Sequence, residues 1–211
     1  MAKTRKAAAD ATSALQDFMS QGWAPDLPTA DPEHPAVANF ASRRRRLSRR
    51  FPGQTVVIAT GGLKTRSNDD DYRFRPGSDF YWLTGSLEPD GVLILRPTRS
   101  GHSATLYVMP RSDQTTSAYF KDSRYGEMWV GPRRGIKETR AHLRIATASL
   151  NDLDTDLKAL DVATTVVRRG IDTRIDAHTN TAQSAIKFIA IWLQLKIANF
   201  FSALFWARKV I

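Results

Sequence analysis

The run Val92-Leu93-Ile94-Leu95 has no polar side to turn toward water. A strand built from it must be covered on both faces, which only a sheet inside a layered fold provides. Thr55 to Ala59 makes the same demand with a β-branched run that Gly61-Gly62 closes. Thr105 to Met109, entered from Ser100-Gly101 and ended by Pro110, is a third strand, and Thr164 to Val167 is a fourth. Helical patterns lie between them. Val37, Phe40, Ala41 and Leu47, with Phe51 beyond, form an apolar stripe that Pro35 opens and Pro52-Gly53 ends. Asp113 to Lys121 and Glu138 to Leu143 fit short helices. Leu150, Leu153, Leu157 and Leu160 mark one face of a helix over Ser149 to Leu160. Strands interleaved with helices predict an α/β domain, a sheet with helices packed on it.

The segment from Thr65 to Leu95 is dense in turn formers, arginines and aromatics. Asn68, Asp69, Asp70 and Asp71 suit a solvated turn, because short polar side chains bond back to nearby backbone. Arg73 and Arg75 alternate with Tyr72 and Phe74, the period-two pattern of an extended segment. Pro76-Gly77 turns the chain again, and Asp79 to Thr84 reads as a short aromatic strand stopped by Gly85.

This segment resembles the N-terminal domain of aminopeptidase P, the Xaa-Pro aminopeptidase family of creatinase-like metalloenzymes. The resemblance rests on Thr65-Arg66-Ser67, an acid, an aromatic, Ser78-Asp79-Phe80, Thr84-Gly85 and Glu88-Pro89 ahead of the apolar strand. Downstream, Glu127-Met128-Trp129-Val130-Gly131-Pro132-Arg133-Arg134-Gly135 looks like the family's Trp-x-Gly-x-Arg-x-Gly segment. The similarity covers roughly Asn39 to Asp176. It implies a mixed β-sheet flanked by helices. It also implies that Arg66, Ser67, Asp79, Phe80, Gly85, Glu88 and Pro89 are structural motif residues. Trp129, with Arg133, is implied to lie at an oligomer interface near a neighbouring subunit's active site, controlling substrate access; the competing reading packs Trp129 into its own domain's edge. Family members cleave the bond between a peptide's first residue and a following proline. They use two manganese ions on a C-terminal pita-bread domain. No catalytic residue, metal ligand or cofactor can be assigned within this chain, which is expected to be inactive alone. Expected partners are a second copy or full-length aminopeptidase subunits, with peptide substrate bound only alongside the missing catalytic domain.

The chain has no cysteine, which excludes disulfides, thiolate metal sites and a cysteine nucleophile, and fits a cytoplasmic address. No signal-peptide core precedes the domain. A net charge of +10 invites a nucleic-acid reading. Much of the excess, however, sits in Lys3, Arg5, Lys6, the Arg43–Arg50 run and the tail, and no acid follows Asp176. The run reads as a solvated helix face, so nucleic acid is not expected as a partner. His34, His102, His142 and His178 lie outside helix-turn spacing of one another, with His34 and His102 expected in turns. The Asp69–Asp71 cluster lacks the glycine and distal glutamate of a calcium loop. Its acids are expected to pair with Arg66, Arg73 or Arg75. Gly61-Gly62 with Lys64 is a strand-ending turn rather than a phosphate loop, and no serine sits in a nucleophile elbow.

Three regions follow. Residues 1–36 read as an extension, with a short helix over Ala7 to Met19 before Pro25, Pro28 and Pro32. Residues 37–176 form the domain. Residues 177–211 read as an aberrant hydrophobic and basic tail, because Ser184 to Ile211 shifts sharply toward Ile, Phe and Trp. Lys196 interrupts any membrane span there, and the charged linker pattern expected before a catalytic domain does not follow. The family reading therefore treats the chain as truncated before that domain. A stand-alone interaction module, or a small basic nucleic-acid or anion binder, are the alternatives.

Overall fold

A computed structural model describes residues 13–22 and 32–178, apart from 69, 113 and 115. Several features expected from the sequence lie outside the described residues: the start of the Ala7–Met19 helix, the Pro25 and Pro28 breaks, Asp69 and the tail beyond His178.

Five strands make the main sheet: β1 (Thr55–Ala59), β4 (Val92–Thr98), β5 (Gly101–Val108), β6 (Ala146–Ser149) and β7 (Thr165–Val167). Their order is β6-β5-β4-β1-β7. β4 runs antiparallel to both neighbours, whereas β7 joins β1 and β6 joins β5 in parallel. The sheet is therefore mixed. β2 (Thr65–Ser67) and β3 (Asp70–Asp71) form a separate two-stranded ribbon.

Strand pleating divides the apolar residues between two faces. Val56, Ile58, Leu93, Leu95, Leu106 and Val108 point to one core, closed by α2 (Val37–Ser48), α3 (Ser78–Thr84) and α6 (Ile136–Leu143) through Leu47, Phe80, Leu83 and Leu143. Val57, Ala59, Val92, Ile94 and Tyr107 point to the other. There α7 (Leu153–Lys158) and α8 (Thr173–His178) supply Leu153, Leu157 and Ile175. The two-sided burial demanded by Val92–Leu95 is met, with all four residues at most 1% exposed. The described part of the first helix, α1, spans Ser13–Met19. α4 (Ser117–Lys121) and α5 (Glu127–Val130) form a short helical pair after β5.

Several local expectations are corrected. Asp79 to Thr84 is not a strand; Ser78–Thr84 is α3. Phe80, Leu83 and Thr84 share the buried side at i, i+3 and i+4, while Tyr81 faces out. Thr84 Oγ1 donates to the Phe80 carbonyl at 2.8 Å, and Gly85 ends the helix in the left-handed region (φ 77°). Burial of that face overrides the β preference of Phe-Tyr-Trp. The Ser149–Leu160 pattern is likewise not one helix. Ser149 ends β6 and caps a 3-10 turn by accepting from the Asn151 N–H, and α7 begins only at Leu153. Residues 72–77 take no strand partner, and the acidic turn is the β2–β3 ribbon, with its reversal at Asn68. His102 lies in β5 rather than in a turn.

Candidate functional site

The second motif begins with a buried carboxylate. Glu127, 5% exposed, opens α5. Its Oε1 accepts from the Ser112 N–H at 2.8 Å, and the Arg111 and Arg133 guanidinium groups approach at 3.4 and 3.5 Å. Its own N–H donates to Ser112 Oγ at 3.2 Å. Buried charge is tolerable only with such partners. These contacts fasten the one-turn helix to the chain leaving β5, so its remaining residues have only outward directions left. Met128, Trp129 and Val130 are 44%, 59% and 55% exposed.

Trp129 therefore sits on a short helix rather than in a loop. Its indole Nε1–H donates to the Phe120 carbonyl of α4 at 2.7 Å, which fixes the ring while leaving most of it in solvent. Gly126 makes the α4–α5 approach possible. A Cβ there would stand 2.5 to 2.8 Å from the carbonyls of Asp122, Tyr119 and Ala118. Arg133, by contrast, is largely buried against Glu127.

The structure brings part of the first motif beside this helix. Burial raises the Glu88 carboxyl above its ordinary range against the downward pull of Arg133 and Arg134, with Glu127 adding to the rise. Tyr125 Oη donates to Asp90 Oδ2 at 2.5 Å, and its phenol is pushed up by burial and then by that carboxylate. Arg124 donates to Asp71 Oδ2 at 3.1 Å and to the Leu63 carbonyl at 2.6 Å. Asp71 is thus held by Arg124, not by Arg66, Arg73 or Arg75. Ser86 and Leu87 lead into Glu88, whose N–H donates to Ser86 Oγ, and Pro89 and Asp90 turn the chain into β4. Leu87 is 63% exposed.

Other motif residues stand apart. Arg66 and Ser67 are exposed on β2. Asp79 is buried and pairs with Arg168 Nε at 2.6 Å, tying α3 to the end of β7. Phe80 is wholly buried. Tyr125, Asp90, Arg124, Arg111 and Arg168 carry much of this geometry, and no sequence spacing announced them, since their side-chain partners lie 16 to 89 residues away.

His34, His102 and His142 are engaged in hydrogen bonds. His102 Nε2–H donates to the Gln54 carbonyl at 2.6 Å, and Nδ1 faces Ser48 Oγ at 2.8 Å. His142 Nδ1–H donates to the Pro32 carbonyl, and His34 Nδ1 accepts from the Ala36 N–H. The His34 and His142 rings meet edge-on at 5.5 Å, a proximity the sequence did not disclose. Among the described residues, no three of the His, Asp or Glu side chains converge as metal ligands. They do not fit the paired manganese ions that the family resemblance implies. Among the described residues, no helix is long and apolar enough to cross a membrane.

The family model "Aminopeptidase P, N-terminal domain" matches residues 40–167. The chain belongs to this family. Xaa-Pro aminopeptidase 1 of Streptomyces coelicolor is 41% identical over 164 residues, covering 77% of this chain and 33% of that protein. Xaa-Pro aminopeptidase 2 of Streptomyces lividans is 36% identical over 169 residues, covering 79% and 36%. Among solved structures, aminopeptidase P of Escherichia coli in its low-pH form matches with a TM-score of 0.55 at 27% identity, over 68% of this chain and 31% of that one. The aminopeptidase P N-terminal domain seen here thus spans about a third of the length of the curated relatives it matches.

Proposed function

We propose that this chain supplies the N-terminal, non-catalytic domain of a manganese-dependent Xaa-Pro aminopeptidase, and that it builds subunit contacts and shapes substrate access through the Trp129 helix. Removal of the residue preceding proline would be carried out by a catalytic domain outside the described residues, acting with full-length subunits or a second copy of this chain. A cytoplasmic setting accompanies this reading, since a chain without cysteine forgoes disulfides altogether.

The observation that carries the proposal is Trp129. A large aromatic that is mostly exposed, yet anchored by its N–H to a neighbouring helix and flanked by exposed Met128 and Val130, loses little conformational freedom when a partner covers it. Arg133 supports this surface from behind rather than forming it, because its guanidinium neutralises Glu127.

Trp129→Ala tests the reading. Folding stability should fall by no more than the ~1 kcal/mol of one hydrogen bond. Self-association, or binding to a full-length relative, should weaken by ~2 kcal/mol or more if the ring is an interface hot spot. Thermal melting and sedimentation on the same variant separate the two roles. Intact association with a large melting loss would return Trp129 to its own domain's edge.

A further inference from the structure

The Arg43–Arg50 run, expected as a solvated face, divides its arginines between two tasks. Arg43 turns into the fold, donating to the Trp82 carbonyl at 3.2 Å with its guanidinium 4.8 Å from the Trp82 ring centroid. Arg44 donates to the Leu83 carbonyl at 2.7 Å. Arg45 and Arg49 stay exposed in the last turn of α2 and beyond it. They form one wall of a groove of about 770 Å³ whose other wall is the β4–β5 turn, carrying Arg99. Ser48 and His102 lie between the walls, joined by their 2.8 Å contact, and no residue lining the groove is acidic. Among the described residues, no carboxylate pairs with Arg45, Arg49 or Arg99. Burial, and then the charge of Arg45, lower the Arg44 pKa to about 10.

We propose that this groove binds a small phosphate-bearing anion between Arg45 and Arg49 on α2 and Arg99 on the opposing turn. Guanidinium groups match phosphate oxygens with paired N–H donors, a geometry that opposing walls can offer from two directions. The volume suits a small molecule rather than a polymer. The basic surface is also not a continuous track: Arg43 and Arg44 are drawn off to α3, so the helix has no unbroken stripe for a nucleic-acid backbone. This inference is independent of the aminopeptidase reading, because it uses neither Trp129 nor either family motif.

The test is calorimetric titration of the full chain with sodium tripolyphosphate at low and moderate salt, repeated with ATP. Saturable binding that weakens with salt is expected. Arg45→Gln with Arg49→Gln, and separately Arg99→Gln, should each weaken it by about ten-fold or more, the equivalent of one charged hydrogen bond. Arg140→Gln, which removes the same charge from an exposed α6 side chain that does not line the groove, should change it by less than about two-fold, as a screened charge outside the site would. Equal affinity for both ligands assigns the groove to the phosphate chain alone; tighter ATP binding adds a nucleoside contact. The proposal is overturned if no saturable binding occurs or if Arg140→Gln loses as much as Arg99→Gln. It is also overturned if a short single-stranded oligonucleotide or a polyglutamate peptide binds at least ten-fold more tightly than tripolyphosphate.

Discussion

Burying a carboxylate to 5% exposure costs several kcal/mol unless cations and N–H donors replace its water, and Glu127 has Arg111, Arg133 and the Ser112 N–H for that purpose. Glu127→Ala would leave two guanidinium groups facing a void. It should lower stability by roughly 3–5 kcal/mol in urea unfolding. A loss below about 1 kcal/mol would mean that something other than this cluster holds α5. Asp172 presents a different balance. Burial works to raise its pKa, but hydrogen bonds from the Arg174 side chain and N–H outweigh it and hold the carboxyl below the usual range. The unfolded chain then binds more protons than the folded one between the two pKa values. This contribution to stability is therefore present above the unfolded value and disappears as pH falls through the folded one. Asp172→Asn should lower the melting temperature at pH ~7, and the deficit should shrink as pH falls below the ordinary carboxylate range. A deficit undiminished in acid would show that charge is not the cause. At Glu88, where burial raises the carboxyl pKa, the sign reverses: its charged form opposes folding as pH rises.

At the scale of elements, α3 shows what local pattern can and cannot reveal. Ser78-Asp79-Phe80-Tyr81-Trp82-Leu83-Thr84 has the aromatic content of a strand, and its helical face becomes clear only when the sheet and α2 cover Phe80 and Leu83. The stop at Gly85 was legible, but its reason is tertiary. Besides its positive φ, a Cβ there would stand 2.2 Å from Phe40 Cε2. Gly85→Ala should therefore cost about 2 kcal/mol or more, since strain and overpacking add. Chemical denaturation of the variant checks this, and a near-neutral result would mean that α2 can shift away from α3. The β1 and β4 runs were readable because continuous apolar character over four or five residues admits few other placements. β6 was missed because Ala146-Thr147-Ala148-Ser149 carries little hydrophobic signal, and its strand state comes from parallel pairing with β5. Trp129 was legible as a motif, whereas the helix that points it outward depends on Glu127 reaching Arg111 and Ser112.

At the scale of the molecule, the main sheet is one layer between two cores among the described residues, and the second core extends beyond the residues that match the family model. Ile175 on α8 is 1% exposed and packs in the same cluster as Val57 and Val167. The second core thus takes in α8. Ile175→Ala should cost about 2–5 kcal/mol and shift one unfolding transition, as Leu153→Ala would on the same face. A separate early transition for Ile175→Ala would instead detach α8 from the domain. The sequence by itself determined that this chain forms a two-sided α/β sheet and which family it belongs to, because unbroken apolar strands and two ordered motifs tolerate few alternatives. Only the tertiary structure decided that an aromatic run is a helix, that Asp71 answers to Arg124, and that Glu88 lies beside the Trp129 segment. The physical reason is range. Strand and turn signals act over a few residues, whereas burial and charge pairing join side chains that sequence spacing does not relate.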